Sequence, residues 1–477
     1  MWWLIIPALV LVFLAVIIIR TLLFKPAAEE KPTAEPIEFN GQKAVDDLAS
    51  MICCKTVSFK DDRLIDEAEF DKFRKLLTEI FPNIHKTCTL TRIGKSGLIY
   101  HWKGKAADAP SILMAHYDVV PINPEGWDKP AFEGIIENGI LWGRGTLDTK
   151  GTLCGVCEAV EHLIGKNFVP EQDLYMAFAG DEEIAGETAP AMVAWFKEQG
   201  ITPGIVLDEG GAVVENIFPG VAESCALVGI GEKGMAEIEF ILDGEGGHAS
   251  APPAHTPVGV LAKAVCDVEG HPFKMQISQA AAEMFDTLGR RSSFVYRMIF
   301  SNLWCFKPVL NAICKKSGGE LNALMRTTCA FTMMEGSSAS NVIPPHSKIS
   351  ANFRLNGDDT IDFTKQRLEK IINNSDIKVN VAGGQNPSTF SDTSSDAWKK
   401  LKKAISQSWQ EALVSPYLMI ACSDSRHYNA ISDKVFRFSA MALSAEERGM
   451  IHGNNERIPL ETIKKTVEFY LRLIVQL

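Results

Sequence analysis

Three short apolar runs, each ending abruptly in acidic or histidine side chains, restrict what this chain can fold into more than any other feature. Residues 111–115 lead into His116-Tyr117-Asp118, residues 174–179 into Gly180-Asp181-Glu182-Glu183, and residues 204–207 into Asp208-Glu209-Gly210. Continuous apolar runs of this length suit strands covered on both faces, and the helix-like segments between them predict a mainly parallel α/β sheet. In such sheets ligands bind beyond the carboxyl ends of the strands. All three runs deliver their polar residues at that end.

A fourth stretch, residues 141–151, reads Leu-Trp-Gly-Arg-Gly-Thr-Leu-Asp-Thr-Lys-Gly and sets Asp148 in a turn crowded with glycines. Gly143, Gly145 and Gly151 allow close backbone approaches that a Cβ would forbid. A carboxylate on such a turn can bridge two cations, although the same residues also describe an ordinary surface turn before a helix. Together with His116, Asp118, Glu182, Glu183, Asp208 and His452, it forms a candidate site. Imidazole nitrogens and carboxylate oxygens are the ligands of catalytic zinc, and two metals about 3.5–4 Å apart need a shared group. Asp118, two residues after His116, suits the partner of that imidazole's other nitrogen. Of Glu182 and Glu183, one can ligate while the other stays free as a base.

These residues resemble the metallopeptidases of the M20 family. The likeness runs from about residue 44 to the C-terminus in six short motifs, Ala115-His116-Tyr117-Asp118, the turn around Asp148, Gly180-Asp181-Glu182-Glu183, Leu207-Asp208-Glu209-Gly210, Gly247-His248-Ala249-Ser250 and Ile451-His452-Gly453-Asn454-Asn455-Glu456. Glu125-Gly126-Trp127, Ser250-Ala251-Pro252-Pro253, residues 341–345 and Ser423-Asp424-Ser425-Arg426 are similar to the branch holding Gly-X carboxypeptidases and N-fatty-acyl-amino-acid synthase/hydrolases.

The resemblance implies two Zn2+ ions, with Co2+ or Mn2+ as substitutes. His116 and Asp208 would bind one, Glu183 and His452 the other, and Asp148 would bridge. It implies that Asp118 orients His116, that Glu182 is the general base and that His248 steadies the oxyanion. Asn341, Arg354 and Arg426 would hold the substrate carboxylate and scissile carbonyl. The reaction implied is cleavage of an amide or peptide bond next to a free carboxylate. The rival substrate is an N-acyl amino acid, and the non-enzymatic alternative is an inactive tethered binding module. Cys154 and Cys157 share a predicted helix and read as packing residues.

The expected architecture is an α/β catalytic domain in two parts, residues 44–225 and 386–477, around an inserted α+β lid, residues 226–385. Alternation at 235–242 predicts a half-buried lid strand, and helical segments are expected at 257–266 and across 280–313. The long segment 272–316 departs from the simplest dimeric relatives, so the oligomeric state stays open.

Residues 2–24 are apolar except for Arg20 and Thr21, long enough to span a bilayer core of about 30 Å. No basic residue precedes the run and only a weak Ala27-Ala28 site follows it, so an uncleaved transmembrane anchor at 1–25 is expected in place of a signal peptide. Trp2 and Trp3 suit the interfacial belt, and residues 26–43 read as a tether. The side of the membrane stays open: Arg20, Lys25 and eleven cysteines favour a reducing interior, whereas related enzymes are secreted or lumenal. A net charge of −11 argues against a nucleic-acid partner.

Overall fold

The computed structural model describes residues 5–26 and 32–477. Trp2, Trp3 and residues 27–31 of the expected tether lie outside the described residues.

An eight-stranded sheet carries the body, in the order Thr89–Ile93, Gly97–Trp102, Gln172–Ala179, Ala106–His116, Ile205–Val214, Val435–Leu443, Cys225–Glu232 and Leu413–Met419. Its four central strands run parallel to one another, as do the last two, and the two groups meet antiparallel. The hairpin at the other edge is antiparallel. The apolar runs are continuous because helices cover both faces. Leu113 and Ala115 enter the large core beneath helix Lys150–Gly165, while Ile112 and Met114 enter a smaller one against helix Thr188–Glu198. Helix Lys150–Gly165 is itself wedged between the sheet and helices Gly41–Ile52 and Leu460–Ile474. Leu153, Val156 and Val160 are fully buried there, worth about 1.5–3 kcal/mol each in transfer free energy.

A second, antiparallel sheet holds Thr328–Glu335, His346–Leu355, Gly234–Asp243 and Lys378–Gln385. Ala236, Ile238, Phe240 and Leu242 alternate inward along its third strand, covered by helices Pro257–Gly270 and Ile361–Ile372.

Two features differ from the expected inserted unit. Strand Cys225–Glu232 belongs to the large sheet, and the chain leaves the body only at Lys233. The helical stretch of the insertion packs on the body: Ala280, Met284, Phe285, Leu288 and Phe300 join the large core. Helix Gln279–Gly289 lies against edge strand Leu413–Met419, whose apolar side chains need a cover. Amphipathic spacing predicts a helix without saying which sheet it lies on.

Candidate metal centre

The strand ends meet because of register. His116 pairs with Ala179, and Leu113, three residues earlier, pairs with Leu207, so the segments leaving the sheet after 116 and 179 emerge beside Asp208 and Glu209, where strand Ile205–Val214 parts from strand Ala106–His116. Thr149 ties the glycine-rich turn to the same rim: its hydroxyl accepts the His116 N–H and donates to the His116 carbonyl, both at 3.0 Å. The turn needs its glycines. A Cβ at Gly151 would lie 2.3 Å from the Thr146 carbonyl oxygen, and Gly145 holds φ +95°.

Asp148 stands at the middle of the cluster. Its Oδ1 lies 2.9 Å from His116 Nε2 and its Oδ2 lies 2.9 Å from His452 Nε2. His452, held at φ +59°, also reaches Glu183 Oε2 at 2.9 Å. The other nitrogen of His116 faces Asp118, 3.0 Å from its carbonyl and 3.3 Å from Oδ1. The Asp118 carboxylate accepts hydrogen bonds from Ser58 Oγ, Glu182 N and Glu183 N. One buried carboxylate thus orients the imidazole and the di-glutamate loop together. Ligand atoms of His116, Asp148 and Glu183 all fall within 4.8 Å of one another, as do those of His116, Glu182 and Glu209.

Of the expected ligand Asp208 and its neighbour Glu209, it is the Glu209 carboxylate that stands beside His116. Glu209 Oε1 lies 3.5 Å from His116 Nε2, whereas Asp208 Oδ2 accepts the Ser425 backbone N–H at 3.0 Å. Glu209 follows Asp208 directly in its motif, so the signal was one position away. Glu456 closes the His452 motif, where it has no expected role: it accepts N–H bonds from Gly145, Leu147 and Asp148 and pairs with Arg144.

The electrostatics are lopsided. Asp118, Asp148, Glu182, Glu183, Asp208, Glu209 and Asp424 crowd this rim against two imidazoles. Burial pushes Glu182, Asp208 and Asp424 above the ordinary carboxylate range, and burial beside Asp148 raises Glu209 to about 8. Burial also opposes charge on Asp148, but bonds to His116 and His452 outweigh it and hold that carboxyl low. Bonds to Asp148 and Glu183 raise His452 to about 10. Glu183 Oε1 is buried without a hydrogen-bond partner. Buried anionic excess with an orphaned oxygen and two aimed imidazoles fits divalent cations.

The remaining expected residues stand apart from this cluster. His248 and Asn341 lie in and beside the ribbon Gly247–His248/Val342–Ile343 of the second unit, where His248 Nδ1 meets Ser250 Oγ at 2.7 Å. Among the described residues neither hydrogen-bonds to the cluster. Arg354 and Arg426 approach one another's surroundings at Cys422: Arg354 Nη1 lies 3.4 Å from its sulfur, and both guanidinium charges act on that thiol. Arg426 donates to the Asn386 carbonyl, and its Nη1, without a hydrogen bond, stands 3.6 Å from the buried Glu232 carboxylate in an ion pair.

Residues 112–476 match the profile of peptidase family M20/M25/M40. The chain belongs to this family. As an M20 peptidase it is a metallohydrolase, and the cluster around Asp148 is its candidate metal site. It is 35% identical to a probable carboxypeptidase S-like protein of Dictyostelium discoideum, over 90% of this chain and 83% of that one. It is 32% identical to the N-fatty-acyl-amino acid synthase/hydrolase of Xenopus tropicalis, over 97% and 92%. Among solved structures, an M20 metallo-carboxypeptidase of Sulfolobus solfataricus superposes with TM-score 0.68 at 17% identity, covering 91% of this chain and 98% of that one. A dinuclear metal-binding M20 peptidase of Bacillus subtilis superposes with TM-score 0.54 at 11% identity, over 91% and 98%.

Proposed function

We propose that this M20 peptidase is a two-zinc carboxypeptidase of the Gly-X type, cleaving an amide bond beside a free carboxylate. The observation that carries the metal assignment is the pair of 2.9 Å approaches from His116 and His452 to opposite oxygens of Asp148, which suits a bridging carboxylate. His116 and Glu209 would hold one ion, in place of the Asp208 expected from sequence, and Glu183 and His452 the other. Bound there, the ions supply Lewis-acid polarisation of a carbonyl and a water of lowered pKa.

The chain's own residues account for the proton traffic. Glu182, whose carboxyl burial pushes above the ordinary carboxylate range, acts as a carboxylate that takes the proton from the attacking water and returns it to the leaving nitrogen. Asp118 keeps the His116 ring in one orientation. His248, with Asn341, would close over the substrate from the second unit and steady the oxyanion. Arg426, whose Nη1 makes no hydrogen bond and only a 3.6 Å ion pair with Glu232, would hold the substrate carboxylate, helped by Arg354. Helix Ile5–Leu23, with mean hydropathy 2.8, serves as an uncleaved membrane anchor.

The relatives favour a second substrate, an N-acyl amino acid, since one of them is named for that hydrolysis. Both substrates present the same bond beside the same carboxylate. A zinc-loaded assay of Gly-Leu against N-acyl-Leu decides between them. Wild-type protein is expected to hold two metals per chain and Asp148→Asn at most one, by elemental mass spectrometry. An Asp148→Asn protein that keeps both ions and near-normal turnover overturns the bridging role. Binding of either compound without turnover by the zinc-loaded enzyme would leave the inactive tethered module.

A further inference from the structure

Helices Phe294–Ser301 and Leu303–Ser317 take no part in the chemistry above, yet their composition is unlike the rest of the chain. Between residues 287 and 319 six side chains are basic and none is acidic, in a protein of net charge −11. The same helices expose Phe294, Val295, Tyr296, Trp304, Val309 and Ile313, each between 41% and 59%. Apolar and aromatic exposure mixed with lysine and arginine is the pattern of a helix lying in an anionic lipid interface.

This surface is continuous with helix Ile5–Leu23. Phe13 meets Trp304 edge-on with ring centroids 5.7 Å apart. Arg20 Nη2 donates to the Ser301 carbonyl at 3.1 Å, and Asn302 Nδ2 donates to the Ile17 carbonyl at 3.2 Å. Ile17 and Thr21, the two buried residues of the anchor, are buried at this contact. Interhelical polar bonds of this sort hold helices together where no hydrophobic force acts between them. At about 1.5 Å per residue, Phe13 lies roughly 15 Å down the helix from Leu23, about half the hydrocarbon thickness of a bilayer. Trp304 therefore sits deep beside the anchor.

Where the anchor emerges, a cavity of about 750 Å³ opens beside Pro26; among the described residues its walls carry Arg290, Arg291, Lys399, Lys402 and Lys403 and the carboxylate of Asp286, with Lys399 paired to Asp396. Arg290 Nη1 donates to the Lys25 carbonyl at 3.1 Å, while its other nitrogens pair with Asp286. The cavity is thus cationic and lies at the level where lipid phosphates begin.

We propose that the anchor and these two helices form one membrane-embedded unit, whose basic cavity holds the phosphate-bearing headgroup of an acidic phospholipid. The proposal rests on the reading of Ile5–Leu23 as a retained anchor. It makes the catalytic body a fixture seated on the bilayer, where a flexible tether alone would let it swing free.

The test uses full-length protein in nanodiscs of phosphatidylcholine with or without phosphatidylserine, each doped with a diazirine-acyl phospholipid. Cross-links are mapped by mass spectrometry. Labelling is expected on both 5–23 and 294–313, with the second signal falling at least twofold without phosphatidylserine. It should fall likewise in Val295→Lys/Val309→Lys/Ile313→Lys, whose exposed positions tolerate the change, while labelling of 5–23 persists. Labels confined to 5–23 overturn the proposal and leave the anchor standing, and labels on neither segment overturn both. Labelling of 294–313 that ignores phosphatidylserine, and is unchanged in Arg290→Glu/Lys403→Glu, overturns the headgroup cavity.

Discussion

Arg144 and Glu456 stand 312 positions apart in the chain and meet in a buried ion pair, Nη1 to Oε2 at 2.6 Å. The second oxygen of Glu456 gathers the N–H groups of Gly145, Leu147 and Asp148. Glu456 thereby joins the loop carrying His452 to the turn carrying Asp148, the two pieces that must meet for that carboxylate to face both imidazoles.

Glu456→Ala should destabilise the fold by about 3–5 kcal/mol, because it strands a buried guanidinium. Glu456→Gln keeps an acceptor and should fold, with metal affinity lowered about 10- to 100-fold. Chemical denaturation and chelator competition measure the two effects. A Gln variant with wild-type affinity would remove Glu456 from the organisation of the centre.

Glu182→Gln should lower kcat by about 10²–10⁴ while elemental analysis still finds the full metal complement. If turnover survives with both ions in place, the proton must travel by another group.

Asp208→Asn and Glu209→Gln separate neighbours in one strand. The asparagine oxygen can still accept the Ser425 N–H, so Asp208→Asn should retain its ions. Glu209→Gln should lose one on dialysis against a weak chelator. The reverse result would return the corner to Asp208.

Lys233 is fully buried at the crossing between the two sheets, its ammonium donating to the Ala323 and Arg326 carbonyls. Burial lowers its pKa from 10.5 to about 7. Between those values the unfolded chain binds a proton that the folded chain lacks, so this group makes stability rise with pH, by up to about 1.4 kcal/mol per unit. Below pH 7 its full desolvation penalty remains. Lys233→Met should flatten that rise in denaturant titrations from pH 7 to 9.5, and parallel wild-type and variant curves would refute the assignment.

The central sheet was legible because burial on both faces leaves continuous apolar runs, and the strand-end residues His116, Glu182 and Glu183 stood out against them. Choosing between Asp208 and Glu209 was harder. Successive side chains of an extended strand point to opposite faces, and adjacent acids carry no mark of which face matters. Glu456 stands in the His452 motif, but its role is not legible there: its partners lie about 310 positions away, so no local periodicity marks them. The helices after Gln279 announced themselves as helices, but their choice of sheet depended on a strand edge that only the assembled body presents.

Strand order also sets a timetable. Val435–Leu443 lies between Ile205–Val214 and Cys225–Glu232, so the sheet has a vacancy at its middle until the chain has been made through residue 443. His452 follows later still. Until residue 452 has been made, the growing chain carries three corners of its centre, and until residues 435–443 arrive it carries a split sheet.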